Sequence, residues 1–333
     1  LARRYPEEPL ADAAIVDLVR HYASGERAHA STRSAAAPPA AAPLANVDRG
    51  VALATYEASS QPTALSEEER LLRATRLAAF LEQARPTLFT SGAVRHQTAA
   101  IDRRAGRASQ AERAMLVQSA AWVAKPWRRA AAAERWLADR DSSPPEMPMA
   151  ACRRAESRPL LDGDLSETCW ADADPIRLAG DAETTVRLVR DDDFLMLAIE
   201  AEAGAITDKT PRGPRTRDAD LIGRDRVRLR IDLDRDYATA WQLSVDRFGR
   251  THDALAGDPL WNPAWYVAAA EAADGWRIEA AIPLEELCDP SSARGAVWAV
   301  SIDRVCPGRR PSVWGDPLSD PASPDAFGLL MLD

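Results

Sequence analysis

Two spacings of apolar residues divide the chain. In the first part they recur every three or four positions. Pro9 opens a segment in which Ile15, Leu18, Val19 and Tyr22 share one helical face, and Gly25 supplies a stop. Ser66 with Glu69 forms a capping box before Leu77, Phe80, Leu81 and Ala84, and Pro86 ends that helix. Ser109 with Glu112 repeats the device before Met115, Leu116 and Trp122. Pro126 breaks the pattern, and Trp127 to Leu137 gives one more helical run. Beyond Pro159 the period falls to two. Val227, Leu229 and Ile231 alternate with Arg226, Arg228 and Arg230, Trp241, Leu243 and Val245 with Gln242, Ser244 and Asp246, and Trp276, Ile278 and Ile282 with Arg277, Glu279 and Ala281. Strict alternation predicts half-buried strands. Asp274-Gly275 predicts a hairpin, and many short strands with frequent turns predict an antiparallel β-sandwich.

The fold class expected is therefore α + β in separate domains: α-helical over 1–140, a linker over 141–158 built on the polar, proline-rich stretch from Asp141 to Met149, and a β-sandwich over 159–333. A weak internal echo, YPEEPLADAAIVDLVRHYASGE against RPTLFTSGAVRHQTAAIDRRAGRASQAE, fits a divergent tetratricopeptide-type repeat; a plain helical bundle fits as well. AAAPPAAAPL at 35–44 reads as a flexible insertion. Leu1 falls within helical sequence, so the chain reads as a fragment or processed form.

A net charge of −9 lacks the basic footprint of a nucleic-acid binder. No apolar run is long enough to span a bilayer. Cys152, Cys169, Cys288 and Cys306 carry no CxxC and no histidine at ligand spacing; they form two disulfides or none, and not a zinc site. His21, His29, His96 and His252 are scattered, and GxSxG, HExxH and phosphate-cradling loops are absent from the sequence, so a non-catalytic role is expected. Asp232, Asp234 and Asp236 alternate like a calcium loop. Tyr237 stands where an EF-hand needs glycine and Leu243 where it needs glutamate, so a solvated turn is the preferred reading.

The later segments resemble family 9 carbohydrate-binding modules: PLLDGDLSETCW from Pro159, DDDFLMLAIEAE from Asp191, RDRVRLRIDLDRDY from Arg224, WQLSVDRFGRTHDA from Trp241, GWRIEAAIP from Gly275, SVWGDP from Ser312 and FGLLMLD from Phe327. The resemblance implies a sandwich that binds the ends of oligo- or polysaccharides, accessory to glycan degradation and working outside the cytoplasm. Family members grip a sugar ring between two tryptophans. Trp314 matches one of them, Ile222 stands at the other, Arg228 replaces a glutamate, and Ser244 replaces a basic residue. Members can carry structural calcium, and the motifs do not place its ligands here. An alternative is a degenerate sandwich serving as a structural or protein-interaction module.

Trp314 is read either as a sugar platform or as a packed core residue. Trp261 and Trp265, in WNPAWY, could replace the lost platform; locking a loop against the sandwich is the reading preferred. Arg226, Arg228 and Arg230 could receive anions, although pairing with acids such as Asp246 or Glu279 on neighbouring strands is preferred. A protein partner is expected through the helices.

Overall fold

A computed structural model describes residues 9–36, 65–203, 218–316 and 323–333. Helices come first: α1 (Pro9–Ala23), α2 (Gly25–Ala36), α3 (Glu67–Ala84), α4 (Pro86–Phe89), α5 (Gly92–Arg104), α6 (Ala108–Gln118) and α7 (Lys125–Ala138). Strands follow, broken by three short helices: β1 (Met149–Arg154), α8 (Thr168–Ala171), β2 (Ile176–Arg177), β3 (Thr184–Arg190), β4 (Phe194–Glu202), β5 (Arg226–Asp232), β6 (Trp241–Asp246), β7 (Thr251–Leu255), β8 (Tyr266–Glu271), β9 (Gly275–Pro283), α9 (Leu284–Leu287), α10 (Pro290–Ala293), β10 (Val297–Val305), β11 (Ser312–Val313) and β12 (Gly328–Leu332). Most of the insertion at 35–44 lies outside the described residues; Ala35 and Ala36 close α2.

Local signals explain the helix ends. Ser66 and Glu69 make the reciprocal capping box at α3. Pro86 ends α3 by opening α4, and Pro126 sits in the first turn of α7 rather than breaking a helix. The second predicted box is not formed. Arg107 is held back by its backbone N–H on the Asp102 carbonyl and by its Nε on the Asp102 carboxylate, so α6 starts before Ser109 can cap it. Gly25 starts α2 instead of stopping α1, and a Cβ there would lie 3.1 Å from Oδ2 of Asp234.

The strands form one continuous mixed sheet, in the order β7-β6-β5-β10-β12-β1-β3-β4-β9-β8, with β11 on β10 and β2 on β3. This differs from the expected all-antiparallel pair of sheets. β1 lies inside the stretch read as a linker and runs parallel to both neighbours, with Met149–Cys152 beside Leu329–Leu332 and Arg153–Arg154 beside Val189–Arg190. Changing partner part-way lets the sheet curl until the inner faces of its two halves share one core. That core unites Val186, Leu188, Leu197 and Ile199 with Val227, Leu229, Trp241, Leu243, Ile278, Ile282, Val300, Ile302 and Leu330. Each such side chain is worth about 1.5–3 kcal/mol when fully buried.

Both outer faces are also covered, which departs from the expected separate domains. Trp127, Ala130, Ala133 and Leu137 of α7 pack on Ala299, Phe327 and Leu329. Leu161, Leu165, Cys169 and Trp170 pack on Met196, Ala198 and Ala281 of the other half. Two-sided burial is why LMLAI in β4 reads as a continuous apolar run. The hairpin before β9 is present, but its turn centres on Ala273-Asp274, and Gly275 is needed because a Cβ there would sit 1.9 Å from the Ala201 carbonyl oxygen. All four cysteines are buried free thiols, and burial pushes Cys152 up to about 12 and Cys288 up to about 11. Among the described residues no helix is long and apolar enough to cross a membrane.

Candidate functional site

Of the six residues predicted from sequence, Arg228 and Ser244 are neighbours across β5 and β6, and Trp314 and Ile222 lie elsewhere on the fold. Trp314 exposes only 7% of its surface and packs in the shared core, where its ring tip would meet any Cβ added to Gly328. Its backbone N–H donates to the Ile302 carbonyl. One edge of Trp314 borders a cavity of about 520 Å³, together with Lys125, Arg129, Glu146, Arg177 and Asp316. Arg129 is paired with Asp325. Ile222 is 85% exposed in the turn before β5. Trp261 is half-buried and stacks on Trp241, with ring centroids 4.2 Å apart, and the half-buried Trp265 donates from Nε1 to Asp253 at 3.3 Å. Both pack against the core cluster, as a loop lock would.

Arg228 and Ser244 are cross-strand neighbours on one sheet face. Arg228 donates from Nε and Nη2 to the two oxygens of Asp303, each at 2.9 Å. Arg230 reaches the same carboxylate at 3.4 Å. Arg226 donates to the Leu221 and Arg224 carbonyls, and Arg228 and Arg230 are paired across strands, with Asp303 on β10 rather than with Asp246 or Glu279. Those two acids have other partners. Asp246 lies within ion-pair reach of Arg224 and Arg250.

Glu279 explains the opening motif. Its Oε2 accepts the N–H groups of Asp162 and Gly163 at 2.9 and 2.8 Å, and its Oε1 accepts the Trp170 indole N–H at 2.8 Å. Gly163 has φ +88°, and a Cβ there would meet that of Ala270 at 2.7 Å. The Leu-Asp-Gly…Trp pattern thus pins a surface segment to β9. Asp225, the acid before Arg226, grips Arg304 in the same way: Nε to Oδ1 and Nη2 to Oδ2, both 2.8 Å, with the Trp276 indole donating at 3.0 Å. Arg304 is completely buried and also donates to the Thr184 hydroxyl. These motif residues hold the fold together.

The triad Asp232, Asp234 and Asp236 is not a solvated turn. Asp232 and Asp236 are fully buried, Asp234 is nearly so, and Glu26 of α2 joins them. Glu26, Asp232 and Asp234 each offer a carboxylate oxygen within 4.8 Å of the others. The loop carrying these aspartates is where the helices grip the sheet. Asp234 Oδ2 accepts the Gly25 N–H at 2.8 Å and Arg104 Nη1 at 2.9 Å. Arg103 donates to the Asp234 carbonyl, and Arg235 meets Glu134 of α7 at 2.6 Å. His96 is wholly buried between Gln118 and the Arg235 carbonyl.

Charge follows from this geometry. Burial, reinforced by Asp234 and Asp236, pushes Glu26 up to about 8. Burial and Asp234 push Asp236 up to about 7, and Asp232 lies well above the ordinary carboxylate range for the same kind of reason. Burial alone would also raise Glu134, but Arg103 and Arg235 overcome it and hold Glu134 at about 2. The Asp-x-Asp-x-Asp spacing is the visible signal for this cluster. Glu26 and Arg104 cannot be foreseen from that spacing, because they come from distant helices.

No family model matches the chain, and no curated protein matches it. Solved structures similar to it include a family 9 carbohydrate-binding module from Caldicellulosiruptor kristjanssonii in complex with cellotriose. It is 17% identical, covers 56% of this chain and 94% of that one, and has a TM-score of 0.41. The same organism's module in complex with glucose is 18% identical, covers 55% and 95%, and also scores 0.41. A carbohydrate-binding candidate from Bacteroides uniformis ATCC 8492 is 10% identical, covers 56% and 99%, and scores 0.43. Scores and identities this low do not carry a ligand from one protein to another.

Proposed function

We propose that the chain is a non-catalytic module that receives the end of an oligosaccharide in the cavity beside Trp314. The observation that carries this reading is the lining. One indole edge stands among Lys125 and Arg177, which have no ion pair among the described residues, and the carboxylates of Glu146 and Asp316. Hydroxyl-rich ligands both donate and accept, and acids and bases around an apolar edge suit them. The ordered motifs beyond Pro159 point the same way. An indole that shows only an edge forgoes most of the burial a stacked ring provides, so binding in the millimolar range is expected, about −4 kcal/mol. In the same reading the helices serve as an interaction scaffold, with Leu116 and Trp122 exposed near the end of α6, and the module works outside the cytoplasm.

A second reading is a sheet that has lost its sugar site and serves as a structural module. The burial of Trp314 and the exposed Ile222 at the position of the second indole favour it. Titrating the full chain with neutral and acidic oligosaccharides, cellotriose among them, separates the two. The first reading expects saturable amide shifts that weaken at least about threefold in Lys125→Ala and Arg177→Ala, a loss of about 0.65 kcal/mol. Folded protein that shows no shift with any glycan at about 10 mM, well past a millimolar dissociation constant, leaves the second.

A further inference from the structure

We propose that Glu26, Asp232, Asp234 and Asp236 bind a calcium ion that staples helix α2 to the loop after β5. Oxygens that share one calcium ion lie about 2.3–2.6 Å from it and so no more than about 5.2 Å from one another. The oxygens of Glu26, Asp232 and Asp234 meet that limit.

The hydrogen bonding sharpens the case. Each aspartate has one oxygen fixed and the other bare. Asp232 Oδ2 accepts the Tyr237 N–H at 2.7 Å, and Asp236 Oδ1 accepts the N–H groups of Ala238 and Thr239 at 2.7 and 3.0 Å. Asp234 Oδ2 is taken by Gly25 and Arg104. Their other oxygens, Asp232 Oδ1, Asp234 Oδ1 and Asp236 Oδ2, are buried and have no hydrogen-bond partner among the described residues. Buried carboxylate oxygens are otherwise almost always paired, and three bare ones at one place call for a cation. Asp236 stands outside the trio measured above, yet it is the charge acting most strongly on Asp232. Glu26 is oriented in turn by the hydroxyls of Ser24 and Thr239 and by the Leu233 N–H, the kind of outer support that ligating groups receive.

Among the described residues the four carboxyl groups have one ion-paired guanidinium, that of Arg104 on Asp234, while the nearby Arg103 and Arg235 are paired with Glu134. Unpaired buried charge is expensive, and a divalent ion would offset the excess. The donor set is all oxygen, with no thiolate or imidazole among the ligands, which selects a hard cation. Several carboxylates in an irregular arrangement suit calcium, whereas magnesium keeps its waters and uses one or two carboxylates. Asp234 and Gly25 also line a cavity of about 800 Å³, which gives the ion a route in. Glu26 lies outside the segments that carry the resemblance to carbohydrate-binding modules, so the site joins the two parts of this chain.

The test uses the full chain, stripped with chelator and titrated with calcium chloride by calorimetry, equilibrium dialysis and thermal melting. One equivalent should bind, with a saturable rise in melting temperature. Asp232→Asn should weaken binding at least about tenfold and remove that rise, while its melting temperature in chelator should equal or exceed that of the native chain, because a repelling charge has gone. Glu26→Gln should behave alike, which keeps the test intact should Asp232→Asn fail to fold. Absence of saturable binding up to about 5 mM calcium, past the weakest range of extracellular modules, overturns the proposal. Undiminished affinity in a folded variant overturns it equally.

Discussion

Asp225→Ala tests whether the buried polar clamp, rather than the apolar core alone, holds the curled sheet together. The substitution strands Arg304, which has no exposed surface and makes two parallel 2.8 Å bonds to that carboxylate. Removing one partner of a buried pair typically costs about 3–5 kcal/mol, because the other charge stays behind. Arg304 keeps neutral acceptors in the Thr184 hydroxyl and the Glu202 carbonyl, so the lower end, about 3 kcal/mol, is expected. That is a large part of the roughly 5–15 kcal/mol that holds a typical domain folded. At about 2–4 °C per kcal/mol it lowers the melting temperature by about 6–12 °C. Arg304→Met alone should cost a similar amount by stranding Asp225. The double variant removes both charges and should recover at least about 1 kcal/mol over either single variant. Urea unfolding at 25 °C reads all four proteins. A loss below about 1 kcal/mol for Asp225→Ala, or a double variant no more stable than the worse single one, refutes the reasoning.

Two further outcomes follow from geometry already described. Gly163→Ala forces an alanine to φ +88° and against Ala270; a loss of at least about 2 kcal/mol in urea unfolding is expected, and a neutral result contradicts the clamp at Glu279. His96 is lowered to about 4, chiefly by burial, with Glu134 and Arg103 as the charges facing it. Its native state stays neutral while the unfolded chain gains a proton below about 6.5, so stability falls as pH drops from about 6.5 to about 4, by up to about 3 kcal/mol. Glu134 is displaced downward, so its contribution is present above the unfolded value and lost between about 4.5 and 2. Glu26 and Asp236 are displaced upward, so their contribution grows as pH falls from about 8 and about 7 toward the ordinary carboxylate range, which opposes the histidine's trend and leaves that of Glu134 untouched. The difference between native chain and His96→Gln therefore isolates the histidine: a parallel pair of pH curves rejects it.

Periodicity finds the strands whose partners are close in sequence. The alternation in β5, β6 and β9 is visible because one face of each meets the shared core, and hairpin geometry does the rest. β1 is hidden, since MAACRR has no clean alternation and its partners Leu329–Leu332 arrive at the far end of the chain. The motifs beyond Pro159 are legible as residues but not as roles. Asp225, Glu279 and Trp170 prove to be internal fasteners. Arg228 and Ser244 do share a face, while Trp314 turns inward and Ile222 outward. The Asp232–Asp236 spacing stands out in the sequence yet reads as solvated, because the helix that buries it contributes nothing to the local pattern.

The order of strands sets a timetable for synthesis. β12 sits between β10 and β1, so the seam that joins the two halves of the sheet is sewn with residues 328–332. A ribosome can deliver the β5–β6–β7 meander and the β3–β4 hairpin and leave each to form early, but the parallel seam at β1 closes only when β12 emerges. Half-built sheets with open edges are the states a chaperone would have to shield.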